Sequence, residues 1–133
     1  MHSPITANSP IQFSATLPAA TDVAIIGGGI VGVMTAWFLA KRGIKSVIFE
    51  KGRVAGEQSS RNWGWIRQQG RDPAELPIMI ESLRIWQDLE KECGETLGFQ
   101  QTGVLYLANG AKDMTGFENW LTFAKAHQLA NLF

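Results

Sequence analysis

The chain has 133 residues, of which 45% are hydrophobic, and its twelve basic side chains balance twelve acidic ones. This length and apolar content predict one folded domain and exclude a disordered chain. Because the charges are even and form no block of one sign, neither a nucleic acid nor an anionic membrane surface is expected as the main partner.

The chain has a single cysteine, Cys93. One cysteine excludes an internal disulfide framework and offers no metal cluster, so the sequence favours a reducing compartment, and we expect a cytoplasmic protein. No apolar run is long enough to span a bilayer, so no transmembrane segment is predicted.

The first segment, Met1–Thr21, is rich in Ser, Thr, Pro, Ala and Asn and carries almost no charge. It lacks the basic start and the apolar run of a signal peptide. We expect a flexible or loosely docked arm, and an extension without any role is the alternative.

A strand–helix–strand pattern follows the arm. Asp22–Gly27, "DVAIIG", predicts a strand of the kind that is buried on both faces. Ile30–Arg42 predicts a helix that stops at the left-handed Gly43, and Ser46–Glu50, "SVIFE", predicts a second strand. Small residues recur every four positions along one side of the helix, which would let it lie close to a sheet; they are Gly32, Ala36 and Ala40.

Three further elements are predicted after this unit. Pro73 starts a long helix that ends near Gly94 and has an apolar stripe. Thr102–Ala108, "TGVLYLA", predicts a strand, and a last helix runs from about Lys112 towards Gln128. The fold class is therefore α/β, with a Rossmann-type βαβ unit. We expect an arm at 1–21, a βαβ unit with a cofactor loop at 22–72, and the start of a substrate domain at 73–133.

The turn between the first strand and the helix carries a G-x-G-x-x-G pattern at Gly27, Gly29 and Gly32. The first glycine permits a tight turn, the second lets the backbone approach a pyrophosphate, and the third allows close helix–strand packing. Glu50, at the tip of the second strand, is placed to accept hydrogen bonds from ribose hydroxyls and would repel the 2′-phosphate of NADP. A dinucleotide site is predicted, and a purely structural turn is the alternative.

The segment after Glu50, "KGRVAGEQSSRNWGW", is rich in glycine, serine and amide side chains. Such a segment is able to donate hydrogen bonds along an extended cofactor, which favours FAD over NAD. An NAD-dependent dehydrogenase domain stays open as an alternative.

The stretches "DVAIIGGGIVG" and "VIFEKGRVAGEQSSRN" resemble the amino-terminal part of the FAD-dependent oxidoreductases related to D-amino-acid oxidase. That group includes sarcosine and glycine oxidases and L-amino-acid deaminases. The resemblance implies oxidation of an amine or amino acid by hydride transfer to flavin, with reoxidation by oxygen or a carrier. Because family members are several times longer, it also implies that a further part or a second chain completes the site. A non-catalytic cofactor-binding module is the alternative.

The resemblance also implies which positions contact the cofactor. The glycines would face the pyrophosphate, Glu50 the adenosine ribose, and the segment from Asn62 to Trp65 the isoalloxazine ring. The full set is Gly27, Gly29, Gly32, Glu50, Lys51, Gln58, Ser59, Ser60, Asn62 and Gly64. The covalent flavin anchors of the family are often His or Cys, and since this segment has neither, non-covalent FAD is expected. The sequence identifies no catalytic residue and no metal ligand.

Two sets of side chains leave their role open. Arg61, Arg67 and Arg71 form either a carboxylate-binding set or surface ion pairs. Trp63 and Trp65 either stack near the flavin or pack between domains.

Overall fold

The structure is a computed structural model, and it describes residues 5–6, 8–13 and 15–129. The chain divides into two compact units, the first ending at Gly64 and the second beginning at Trp65.

The first unit is built on a parallel βαβ arrangement. Strand β1 (Val23–Ile26) leads into helix α1 (Ile30–Ala40), and strand β2 (Ser46–Phe49) returns beside β1 in parallel. The register pairs Val23 with Ser46 and Ile26 with Phe49. The α/β class and the order of elements are confirmed, with α1 ending two residues earlier than the sequence pattern suggests.

The end of α1 follows from its glycine stop. Gly43 has a φ of +72°, and its N–H donates to the carbonyl oxygen of Ala40 at 2.9 Å. The N–H of Ile44 then reaches back to the carbonyl oxygen of Leu39 at 3.0 Å. A left-handed residue that closes the last helical turn in this way turns the chain towards β2.

The burial of β1 differs from the expectation. Its residues alternate between half-buried and exposed, and Ile26 is 93% exposed. The prediction that both faces of this strand are buried is therefore wrong for the part of the chain described. The physical reason is that the sheet has two strands in the described residues and α1 packs on one side of it. The small-residue side of α1 is close-packed at Gly32, which is buried, whereas Ala40 is exposed.

The second unit contains two helices. Pro73–Glu75 forms a short 3₁₀ turn, and helix α2 (Leu76–Cys93) follows it and ends at the left-handed Gly94. Helix α3 (Ala111–Ala126) is the last element described. The predicted helices are confirmed to within a turn at each end. Apolar residues from both helices form a small core, which consists of Leu76, Trp120 and Ala124, with Leu129 packed against it.

The predicted strand at Thr102–Ala108 is not formed. A strand needs a neighbour to pair its backbone groups, and none of the described segments pairs with this one. Leu105 and Leu107 are accordingly 83% and 76% exposed, while Tyr106 is half-buried among aromatic side chains. The β-type pattern therefore marks an extended segment rather than a paired strand.

The described residues of the arm contact the loop that follows β2 in the first unit. The Nε of Arg53 donates to the carbonyl oxygen of Ser9. The hydroxyl of Ser60 donates to the carbonyl oxygen of Ile5 at 3.1 Å. Part of the predicted arm (1–4, 7 and 14) lies outside the described residues. No helix in the described part of the chain has both the length and the apolar character to cross a membrane.

Candidate cofactor-binding site

The turn between β1 and α1 depends on two of its glycines. Gly27 has a φ of +105°, a conformation that side chains with a Cβ rarely adopt, and its N–H donates to the carbonyl oxygen of Phe49 at 2.8 Å. A methyl group at Gly32 would overlap the carbonyl oxygen of Gly27 and would lie 3.3 Å from Cγ2 of Ile25. The turn and the first turn of α1 are therefore packed backbone against backbone, as the sequence predicts.

The amino terminus of α1 holds a hydroxyl oxygen. The N–H of Ile30, in the first turn of the helix, donates to Oγ of Ser59 at 2.8 Å. A Cβ on Gly29 would lie 3.1 Å from the same oxygen. Free N–H groups and the positive end of the helix dipole favour polar or anionic oxygen at this place. The first turn of α1 thus already binds one oxygen atom, through the N–H of Ile30.

The carboxylate of Glu50 lies beside this turn. Its Oε2 accepts a hydrogen bond from the N–H of Gly28 at 2.7 Å, and its Oε1 accepts one from the N–H of Gly52 at 2.8 Å. The hydrogen bond from Gly28 has the largest effect, followed by that from Gly52, and both hold the pKa of the Glu50 carboxyl below its ordinary value. The group is therefore ionised at neutral pH. An ionised carboxylate accepts hydrogen bonds from paired hydroxyl groups such as those of ribose.

The loop after β2 is tied to the glycine turn and to itself. The N–H of Ala55 donates to the carbonyl oxygen of Gly28 at 2.8 Å, with Ala55 in the left-handed region at φ +60°. Asn62 donates through Nδ2 to the carbonyl oxygen of Ser59 at 2.5 Å, and its Oδ1 accepts from the N–H of Gly64 at 2.6 Å. These bonds hold Trp63 out in solvent, with 90% of its surface exposed.

The structure brings half of the predicted cofactor residues together. Gly27, Gly29, Gly32, Glu50 and Ser59 surround the amino terminus of α1 through the contacts above. Their roles toward the cofactor remain predictions.

The other predicted positions lie along the loop. Lys51 is exposed and forms an ion pair with Glu57 at 3.6 Å, and Gln58 is exposed in a 3₁₀ turn. The Ser60 hydroxyl faces the arm, and Asn62 and Gly64 shape the turn around Trp63.

Sequence reasoning missed two residues of this site. Gly28 donates its N–H to Glu50 and offers its carbonyl to Ala55, although it is not one of the patterned glycines. The run of three glycines at 27–29 was the available signal for Gly28. No local signal points to the left-handed conformation of Ala55.

The three arginines separate into two kinds. Arg61 pairs with Glu57 at 3.0 Å and Arg71 with Glu75 at 3.7 Å, so the ion-pair interpretation holds for both. Among the described residues, no carboxylate lies within ion-pair distance of Arg67. Arg67 belongs to the second unit, and its guanidinium stacks over the ring of Trp65, with Cζ 5.1 Å from the ring centroid.

No metal site accompanies these groups in the part of the chain that the structure describes. There, the His, Cys, Asp and Glu side chains form no cluster of three able to hold a metal ion.

A parallel βαβ unit with a close-packed glycine turn and a carboxylate at the end of its second strand defines a dinucleotide-binding protein. The donors of α1 and the Glu50 acceptor fit the diphosphate and a ribose of such a cofactor. Residues 22–132 match the family model described as "FAD dependent oxidoreductase" (DAO). The chain belongs to this family.

Similar proteins agree with the family assignment. The chain is 40% identical over 95 residues to the sarcosine oxidase subunit beta of an Arthrobacter species, which covers 70% of this chain and 24% of that protein. It is 32% identical to the mitochondrial pyruvate dehydrogenase phosphatase regulatory subunit of Mus musculus over 71% of this chain and 11% of that protein. The fold matches the L-amino acid deaminase of Proteus vulgaris with a TM-score of 0.82 at 26% identity, over 91% of this chain and 28% of that structure. The chain thus spans less than a third of the length of each of these proteins.

Proposed function

We propose that the chain binds FAD non-covalently and forms the cofactor-binding part of an oxidoreductase that acts on an amine or an amino acid. The observation that carries this proposal is the arrangement at the amino terminus of α1. There the N–H groups of Gly28 and Ile30 meet the side chains of Glu50 and Ser59 within one turn of the glycine motif. Family membership supports FAD over a nicotinamide dinucleotide as the cofactor.

Different residues of the first unit bind different parts of the cofactor. The first turn of α1 binds the pyrophosphate through its N–H groups, and Ser59 adds a hydroxyl donor at the same place. Glu50 is already oriented by Gly28 and Gly52, so it accepts the ribose hydroxyls without losing side-chain freedom. The segment from Asn62 to Gly64 lies next along the chain and is proposed to approach the flavin ring.

When bound, FAD would supply the redox chemistry, as the acceptor of a hydride from the carbon that bears the substrate nitrogen. The cofactor loop has no His or Cys between Lys51 and Trp65, which supports non-covalent binding. A cytoplasmic location remains a prediction from the cysteine content.

Arg67 supports an amino acid as the substrate class. It is half-buried and, within the described residues, has no carboxylate at ion-pair distance. A guanidinium without a counter-ion favours a planar anion, and a carboxylate accepts two parallel hydrogen bonds from it. We propose that Arg67 binds the carboxylate of the substrate.

A second chain, or a further part of the protein, is proposed to cover the first unit. Ile26 and Val31 are 93% and 78% exposed. A cleft along α1 and β2 is lined by Val33, Trp37 and Ile48, among other residues. The buried indole N–H of Trp37 has no acceptor among the described residues, which suits a covering segment that supplies a carbonyl. The relative named as a subunit of sarcosine oxidase supports assembly with another chain.

The test is titration of the purified chain with flavin. Binding through the adenosine half predicts a yellow complex with FAD, competition by ADP, and no retention of FMN, which lacks the adenosine half. Acid precipitation is expected to release the flavin into solution. A colourless chain that retains neither FAD nor FMN would contradict the proposal.

A non-catalytic cofactor-binding role is the second candidate, because one relative is named as a regulatory subunit. Addition of amino acids to the FAD complex without oxygen separates the two candidates. Bleaching of the flavin absorbance by an amine or amino acid supports the oxidoreductase and would contradict the non-catalytic role.

A further inference from the structure

The second unit holds Arg67 in a closed set of polar contacts. The Nη1 of Arg67 donates to the backbone carbonyl of Gln69 at 2.6 Å and lies 3.4 Å from the hydroxyl oxygen of Tyr106. The Tyr106 hydroxyl in turn donates to the same Gln69 carbonyl at 2.9 Å. Three groups that are bonded to one another fix the direction of the guanidinium more firmly than one bond does.

Aromatic rings hold the two side chains of this set in place. The Trp65 ring lies under the Arg67 guanidinium. The centroids of the Trp65 and Tyr106 rings are 6.0 Å apart. Phe117 packs edge-on against Tyr106 with centroids 5.8 Å apart. The phenol ring therefore has a packed position, and its hydroxyl is directed at Gln69 and Arg67.

The backbone beside the guanidinium leaves it no spare room. Gly70 has a φ of +75°, and a Cβ built there would overlap Nη1 of Arg67 while lying 3.7 Å from the Tyr106 hydroxyl. The glycine thus provides the space in which Nη1 sits. Among the bonds that the structure gives to Arg67, those to Gln69 and Tyr106 both use Nη1. Nε and Nη2 are left as a parallel pair of donors for a ligand.

We infer that Tyr106 is a positioning residue for Arg67: it fixes the guanidinium so that its Nε and Nη2 edge receives a substrate carboxylate. This inference rests on the proposed role of Arg67 in carboxylate binding. Tyr106 itself does not touch the carboxylate and acts by removing the rotational freedom of the arginine before the ligand arrives. Preorganisation of this kind raises affinity without adding a contact.

The test uses sodium acetate as the probe and the whole chain, with the arginine side chains labelled with ¹⁵N for NMR. The Arg67 Nε signal, assigned by its loss in Arg67→Lys, is expected to move and saturate as acetate is added. Tyr106→Phe keeps the ring and removes the hydroxyl, and we expect the acetate dissociation constant to rise about tenfold. Thr115→Val removes a hydroxyl that bonds within α3, and it is expected to leave the constant unchanged.

A glycine pair gives a second, independent comparison. Gly70→Ala and Gly98→Ala both place an alanine at a left-handed φ, +75° and +74°, so they share the backbone strain. The built Cβ of Gly98 has no neighbour within 4 Å, whereas that of Gly70 overlaps Nη1 of Arg67. We expect acetate binding to be lost in Gly70→Ala and retained in Gly98→Ala, with similar thermal stability for both.

Equal acetate affinity for Tyr106→Phe and the unchanged chain would overturn the inference. So would an Arg67 signal that does not respond to acetate in the unchanged chain. FAD titration of the same samples reports separately on the proposed function, since Tyr106 lies outside the FAD-binding residues. A chain that binds acetate through Arg67 but not FAD would overturn the cofactor proposal alone.

Discussion

A single methyl group at Gly32 tests how the glycine turn is packed. A built Cβ would overlap the carbonyl oxygen of Gly27 and would lie 3.1 Å from its carbonyl carbon, both of which are backbone atoms of a tight turn. A flexible side chain would move aside, but this backbone is held by the bond from the Gly27 N–H to Phe49. Gly32→Ala therefore forces α1 away from the turn.

Two opposing terms give the expected size of the effect. Replacing a glycine inside a helix by alanine stabilises the helix by up to about 1 kcal/mol. Overpacking costs about 1–3 kcal/mol, and a clash with backbone belongs at the upper end of that range. Gly32→Ala is therefore expected to destabilise the first unit by about 1–2 kcal/mol.

Gly116 in α3 provides the matched control, because a Cβ there has no neighbour within 4 Å. Gly116→Ala has the same helix-propensity gain without a clash, so it is expected to stabilise α3 by roughly 0.5–1 kcal/mol. Native-state hydrogen exchange measures each helix separately. Amides of α1 should exchange about tenfold faster in Gly32→Ala, and those of α3 more slowly in Gly116→Ala. Unchanged or slower exchange in α1 would refute the backbone-packing argument.

Three further changes test the cofactor site. Glu50→Gln is expected to weaken FAD binding at least tenfold, since a hydrogen bond to a charged group is lost; binding equal to wild type would exclude the ribose contact. The same change should also make folding less sensitive to acid. Because the pKa of Glu50 is lowered in the folded chain, its contribution to stability is complete above the ordinary value of 4.5 and is lost as pH falls through the folded pKa. Acid unfolding followed by circular dichroism measures this difference. Ser59→Ala removes the oxygen at the Ile30 N–H and should weaken FAD binding several-fold in a flavin fluorescence titration; tighter binding would show that the hydroxyl competes with the phosphate. Ala55→Gly removes the backbone strain of an alanine at φ +60° and should raise the free energy of unfolding by up to about 1 kcal/mol, which is seen as a higher midpoint in urea. A lower midpoint would contradict the strain.

The Glu50 variant has a matched control in the second unit. Glu81 is an exposed glutamate that also has a lowered pKa, caused first by its hydrogen bond with Arg84. Glu81→Gln removes a similar charge far along the chain from the glycine motif. It is expected to leave FAD affinity unchanged, so that a loss of affinity in Glu50→Gln alone assigns the effect to the ribose acceptor.

Much of the first unit was predictable from the sequence. The glycine spacing, the apolar runs and the acid at the end of the second strand are local signals, and together they describe a βαβ unit. The prediction failed at Thr102–Ala108, where β-type residues do not form a strand in the described structure. Propensity alone does not supply the neighbouring strand that a backbone needs in order to pair.

The sequence by itself determined the glycine turn, the helix behind it and the place of Glu50, because each depends on residues close together in the chain. Only the tertiary structure showed that Ser59 caps the first turn of α1 and that Glu50 takes the N–H of Gly28. It also showed that Arg61 and Arg71 form ion pairs, whereas Arg67 lies beside the hydroxyl of Tyr106. These contacts join residues more than twenty positions apart, and residue spacing within a sequence pattern does not encode which distant groups a folded chain brings to hydrogen-bond distance.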